Sequence, residues 1–227
     1  MNRNTIYEKK NNYNKNAVSN NDIRMIGNIL RFVNITNTID IFDRNKIKGI
    51  LNKLDINNKE SVSNEILEYI QTNDTLDEVF EEIVDNVLHQ VKYIEVYVHL
   101  IQYLQNTYPD KINENIQKLI DIFRTELGNF SPKLNNFSIF LSTLVNYKMI
   151  DNIDDIIYII IQYVIDVPEC DKKQILIESL FYIVTNLKSV KLSDTFNNKL
   201  KNIKNDNIST KSKFQLMDIN DELKKKC

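Results

Sequence analysis

The chain has 227 residues, 42% of them hydrophobic and 26% charged, with only 3 Gly, 3 Pro, 2 Cys, 2 His and no Trp. That composition leaves little for Gly-rich phosphate loops, cysteine-rich metal sites or disulfide frameworks, and it suits one domain of long helices whose core needs neither staples nor metals. A formal charge of -2 argues against a surface that is an electrostatic trap for nucleic acid throughout, since nonspecific binding rests on many phosphate-neutralising cations, and leaves room for local basic faces.

The first residues, Asn- and Lys-rich, lack the apolar core of a signal peptide, and no stretch reaches the ~18 apolar residues of a membrane span. Two thiols, Cys170 and Cys227, fit a reducing compartment, so a cytoplasmic location is expected. The 33 asparagines and 34 isoleucines reflect the bias expected of AT-rich coding DNA, as in some protists and large DNA viruses, and do not bear on function.

Residues 1–20 show almost no apolar periodicity and are expected to form a flexible arm. Residues 21–41 form a second segment, with Met25, Ile26, Ile29, Leu30 and Phe32 in helical register. Further on, apolar residues recur at i, i+3, i+4 and i+7, as in Leu76, Val79, Phe80, Ile83, Val84, Val87 and Leu88. The pattern predicts helices over 23–35, 43–56, 60–71, 76–91, 93–107, 111–127, 135–149, 152–166, 170–188, 194–204 and 210–225. Breaks fall at Asn57-Asn58, Thr72 to Asp74, Tyr108 to Asp110, Gly128 to Pro132, Asp151-Asn152, Val167 to Glu169 and Leu192 to Asp194, and all three prolines lie in them. Apart from the first, these helices make five consecutive pairs, the period expected of helical hairpins stacked into an all-α solenoid with an extra N-terminal helix.

Little in the chain suggests catalysis. His89 and His99 are ten residues apart on separate helices, without a nearby cysteine, which is no zinc-ligand spacing. Acidic groups such as Glu78, Glu81, Glu82 and Asp85, or Asp151, Asp154 and Asp155, fall at helix starts or on polar faces, where carboxylates favour the dipole. The expectation is a non-enzymatic scaffold with no cofactor and no bound metal.

Two segments differ from ordinary core helices. Lys46 to Ile56 sets Lys46, Lys48 and Lys53 around Ile47, Ile50, Leu51 and Leu54, a basic rim round an apolar stripe that suits either a partner surface or a solvated face over the core. Lys211 to Asp221, followed by Lys224 to Lys226, forms a polar last helix fit to close a solenoid. The first contains Lys48-Gly-Ile-Leu-Asn-Lys-Leu54 and the last Thr210-Lys-Ser-Lys-Phe-Gln-Leu-Met-Asp-Ile-Asn-Asp221. Between them, in order, come Glu82-Ile-Val-Asp-Asn-Val-Leu-His, Val96-Tyr-Val-His-Leu-Ile, Phe140 to Ile150 and Ser179 to Leu187.

On these stretches residues 42–226 resemble the middle domain of eukaryotic translation initiation factor 4 gamma. The first segment matches that family's Ser-Ile-Leu-Asn-Lys-Leu-Thr-Pro motif and departs from it at Asp55 and Ile56; an aromatic the family places shortly afterwards falls at Lys59. The resemblance implies five helical hairpins of the HEAT type that bind and stimulate a DEAD-box RNA helicase of the initiation factor 4A type, one lobe near each end. It implies helicase contacts at Lys48, Leu51, Asn52 and Leu54, and at Lys213 and Phe214. The family's cap-protein anchor is absent, so a cap-binding protein would have to be held through residues 1–41 by other means. The segment 23–41 could serve as that anchor or as a helix capping the solenoid. A minimal scaffold, of viral or cellular origin, is the form that fits; encoded by a large DNA virus, it would act in the host cytoplasm. Lys199, Lys201, Lys204 and Lys211, with Lys9, Lys10, Lys15, Arg24 and Arg31, bias both ends toward weak, salt-dependent RNA binding. An RNA-processing or mRNA-decay adaptor of the same fold, without helicase stimulation, is the alternative.

Overall fold

The computed structural model describes residues 44–188, 192, 195–203 and 207–226. The expected arm over 1–20, the segment 21–41 with its helix 23–35, Lys204 and Cys227 lie outside the described residues. The chain divides into two units, Met1–Lys46 and Ile47–Cys227. Of the first, 44–46 are described, and they are helical.

Helical periodicity becomes ten helices among the described residues, with no strand. They are α1 over 44–51, α2 (Lys59–Asn73), α3 (Leu76–His89), α4 (Ile94–Gln105), α5 (Pro109–Gly128), α6 (Leu134–Asn146), α7 (Asp154–Asp166), α8 (Cys170–Asn186), α9 (Thr195–Leu200) and α10 (Thr210–Lys226). The fold is all-α, and no described helix is long and apolar enough to cross a membrane.

Helix ends explain where the expected boundaries shift. The helix expected over 43–56 stops at 51, because the Asn58 side chain donates to Lys53 O at 2.6 Å and accepts from the Asp55 amide at 2.7 Å. Short polar side chains thereby satisfy backbone groups that another helical turn would have paired. Similarly, α6 ends at Asn146 rather than 149. Lys148 takes the left-handed conformation (φ 60°), and the Met149 amide reaches back to Leu144 O at 3.0 Å. Asp74 and Phe130, both at φ 52°, reverse the chain after α2 and α5 in the same way. A glycine usually takes that position; with so few glycines, other residues occupy it at about 1–2 kcal/mol each. Pro109 starts α5, where its missing N–H costs no hydrogen bond. The helix expected over 194–204 is confined to Thr195–Leu200.

Within Ile47–Cys227 the packing order is regular. α2 packs on α4, α4 on α6, α6 on α8 and α8 on α10, so the even-numbered helices form one row. α3, α5, α7 and α9 each pack on the helix that follows them. Contact is densest between α6 and α8, where the small buried side chains Ser138, Ser142 and Ser179 let the backbones approach. Ser138 Oγ and Ser179 Oγ share a hydrogen bond of 2.6 Å, and the Asn186 amide donates to Ser142 Oγ at 2.8 Å. Around them Phe123, Phe137 and Phe140 are fully buried, and each large apolar side chain so enclosed stabilises the fold by about 1.5–3 kcal/mol.

Candidate interaction surfaces

The first end is built on α1 and the turn after it. Ile47, Ile50, Leu51 and Leu54 face inward, and Leu51 and Leu54 are only 1% and 6% exposed. The two leucines expected to touch a partner are therefore core side chains: they position the segment, and its accessible residues are Lys48, Asn52 and Lys53. Lys48 Nζ lies 3.6 Å from Glu82 Oε2 on α3, a carboxylate that is 2% exposed. Where the family motif carries Thr-Pro, Asp55 Oδ1 accepts from the Asn57 amide at 3.0 Å and the next residue, Ile56, is left exposed. Asp55, Ile56 and Lys59 line a groove of about 490 Å³ with Tyr93, His99 and Tyr147. Sequence spacing missed this juxtaposition, because Tyr93 and His99 meet Tyr147, which lies in the turn after α6 and far along the chain.

The second end is α10. Ser209 caps it, its Oγ accepting from the Ser212 amide at 3.1 Å. Ser212, Gln215, Ile219 and Leu223 turn inward, while Phe214 and Met217 are each 62% exposed and Lys213 is also exposed. Met217 joins the candidate surface, three residues from Phe214 on one helical face. Lys211 Nζ pairs with Glu178 Oε1 on α8 at 2.6 Å. Burial pushes the Glu178 carboxyl up, but hydrogen bonds from Lys211, Asn135 and Gln174 outweigh it and leave it below the ordinary value. The same bond to Glu178 holds the Lys211 ammonium above its ordinary value. Lys211 thus fastens α10 to α8.

The basic residues expected to meet RNA are not equivalent. Lys199 lies over the Tyr158 ring, 3.5 Å from its centroid, whereas Lys201 is exposed on the turn after α9. Elsewhere, His89 Nδ1 pairs with its own helix at Asp85 O, 2.7 Å away, and His99 meets Tyr147 edge-on at 6.1 Å. Cys170, a half-buried free thiol, opens α8. Among the described residues no group of three or more His, Cys, Asp or Glu is placed to hold a metal ion.

The class defined by these features is an all-helical protein. No known protein family and no curated protein matches the sequence.

Proposed function

We propose that this chain is a HEAT-type helical-repeat scaffold that binds and stimulates a DEAD-box RNA helicase of the initiation factor 4A type during mRNA recruitment. The observation that carries the reading is the packing order of the even-numbered helices, in which each helix touches the next of its row, the pattern that stacked helical hairpins produce. The two segments that resemble the initiation factor 4 gamma middle domain fall on α1 with the turn after it and on α10, the first and last described helices. Lys48 and Asn52 at one end, with Lys213, Phe214 and Met217 at the other, are accessible to a partner.

A scaffold of this kind needs no catalytic group. Holding two helicase lobes in a half-open arrangement raises their effective concentration for each other and favours the closing step that grips ATP and RNA. It must bind that arrangement better than the fully open one, since equal affinity for both would shift nothing. Leu51 and Leu54 serve by fixing α1 against the core, and the contact itself falls to the exposed residues beside them. Lys201 and Lys199 would add weak, salt-dependent contact with RNA phosphates. In this reading the protein works in the cytoplasm, with residues 1–41 available to a cap-binding protein.

The deciding experiment is the RNA-stimulated ATPase rate of a DEAD-box helicase from the same source, with and without this protein, beside a pull-down of the pair. Stimulation with direct binding supports the proposal. Absence of binding, with decay or splicing factors recovered instead, replaces it with an RNA-processing adaptor of the same fold.

A further inference from the structure

Between α3 and α5 runs a groove of about 400 Å³ with a predominantly apolar floor of Phe80, Val84, Leu88, Leu119 and Ile122. Its residues on α3 recur at 77, 80, 81, 84, 85 and 88, one helical face carried over three turns, or about 16 Å. Ile122 is 50% exposed, although the rest of α5 buries its apolar side chains. At one end of the groove a hydrogen bond joins its two walls, from Asn115 Nδ2 on α5 to Asp77 Oδ1 on α3 at 2.9 Å.

The rim is acidic. Asp77, Glu81 and Asp85 are all exposed along α3. The cation lining the groove, Lys118, is paired with Glu114 Oε1 at 3.0 Å. The hydrogen bond to Glu114 raises its proton affinity, and the nearby Asp77 and Glu81 act in the same sense. Such a rim repels nucleic-acid phosphates and anionic lipid and attracts cations.

We propose that this groove docks an amphipathic helix of a partner protein, with an apolar stripe at i, i+3, i+4 and i+7 flanked by Arg or Lys. An apolar floor three turns long receives such anchors, and the acidic rim sets register and speeds encounter. The site is separate from both end surfaces, so its test leaves the helicase reading intact whichever way it falls.

The test is fluorescence anisotropy with a labelled synthetic helix of about three turns carrying leucines at those positions and flanking arginines, against its twin with glutamates for arginines. The arginine helix is expected to bind at least about tenfold tighter than the twin at low salt, with the gap narrowing as salt rises. Ile122→Ser should weaken it about tenfold without lowering the melting temperature, since Ile122 is half exposed. The double variant Glu81→Lys, Asp85→Lys should erase the preference for arginine, and Phe214→Ser should change nothing. Equal binding of the two helices, no binding of either, or indifference to Ile122→Ser would overturn the assignment.

Discussion

Leu51 and Leu54 are three residues apart, as are Phe214 and Met217, yet one pair is buried and the other stands in solvent. At the α1 end the apolar residues close the core and the polar ones are left to meet a partner. At the α10 end the inward face is made by Ser212, Gln215, Ile219 and Leu223, and two large apolar side chains remain outside. Each end also carries a lysine paired with a glutamate of another helix, Lys48 with Glu82 and Lys211 with Glu178. These pairs differ in kind: Glu82 is 2% exposed with its lysine at 3.6 Å, while Glu178 is 14% exposed with a lysine at 2.6 Å and two amide donors besides. Both ends are thus anchored by apolar burial, Ile219 and Leu223 serving the second, which carries in addition an exposed polar tie, so substitutions that look alike should act differently.

The largest expected effect is at Leu51. Leu51→Ala should cost about 2–5 kcal/mol in urea unfolding, through lost burial and a residual cavity, and Leu51→Asp should prevent folding. A Leu51→Asp protein of normal stability would place that leucine on the surface and dissolve the contrast. Next, Lys48→Met should cost about 1 kcal/mol, because it withdraws a charge from beside a buried carboxylate while Lys48 itself is half exposed. Lys211→Met should cost less, and its signature is pH dependence. Glu178 has a depressed folded value, so its stabilisation is present above the ordinary carboxylate range and lost as pH falls through that lower value. Lys211 has a raised folded value, so its part is complete below the ordinary lysine value and lost as pH rises through the raised one. The melting-temperature difference between wild type and Lys211→Met should therefore be constant around neutrality and shrink as pH falls below the ordinary carboxylate range, through the lower value of Glu178. The smallest effect on stability is at Phe214: Phe214→Ser should stay within about 0.5 kcal/mol, while abolishing helicase stimulation if the proposed surface is right.

The helices were legible in the sequence because their causes are local. Spacing of apolar residues, polar clusters such as Asn57-Asn58 and the placement of Pro109 and Pro168 predict where helices run and break. Where the expected helix overran, from 52 to 56, the Asn58 side chain had captured the backbone of the turn. The end surfaces were legible as segments but not residue by residue. A leucine stripe beneath a basic rim has the same spacing whether it lies against another helix or against water, and only the packing of α1 puts Leu51 and Leu54 inside.

The sequence by itself determined that this chain is built of helices in a fixed order, with apolar stripes on most of them, since backbone hydrogen bonding and side-chain periodicity act over a few residues. Only the tertiary structure decided which stripes are covered and which lysines are held by a carboxylate. It also brought Asp77 and Glu81 onto one groove with Ile122, more than forty residues further along the chain. Burial and charge pairing depend on what lies opposite a side chain, and that neighbour is chosen by the packing of whole helices.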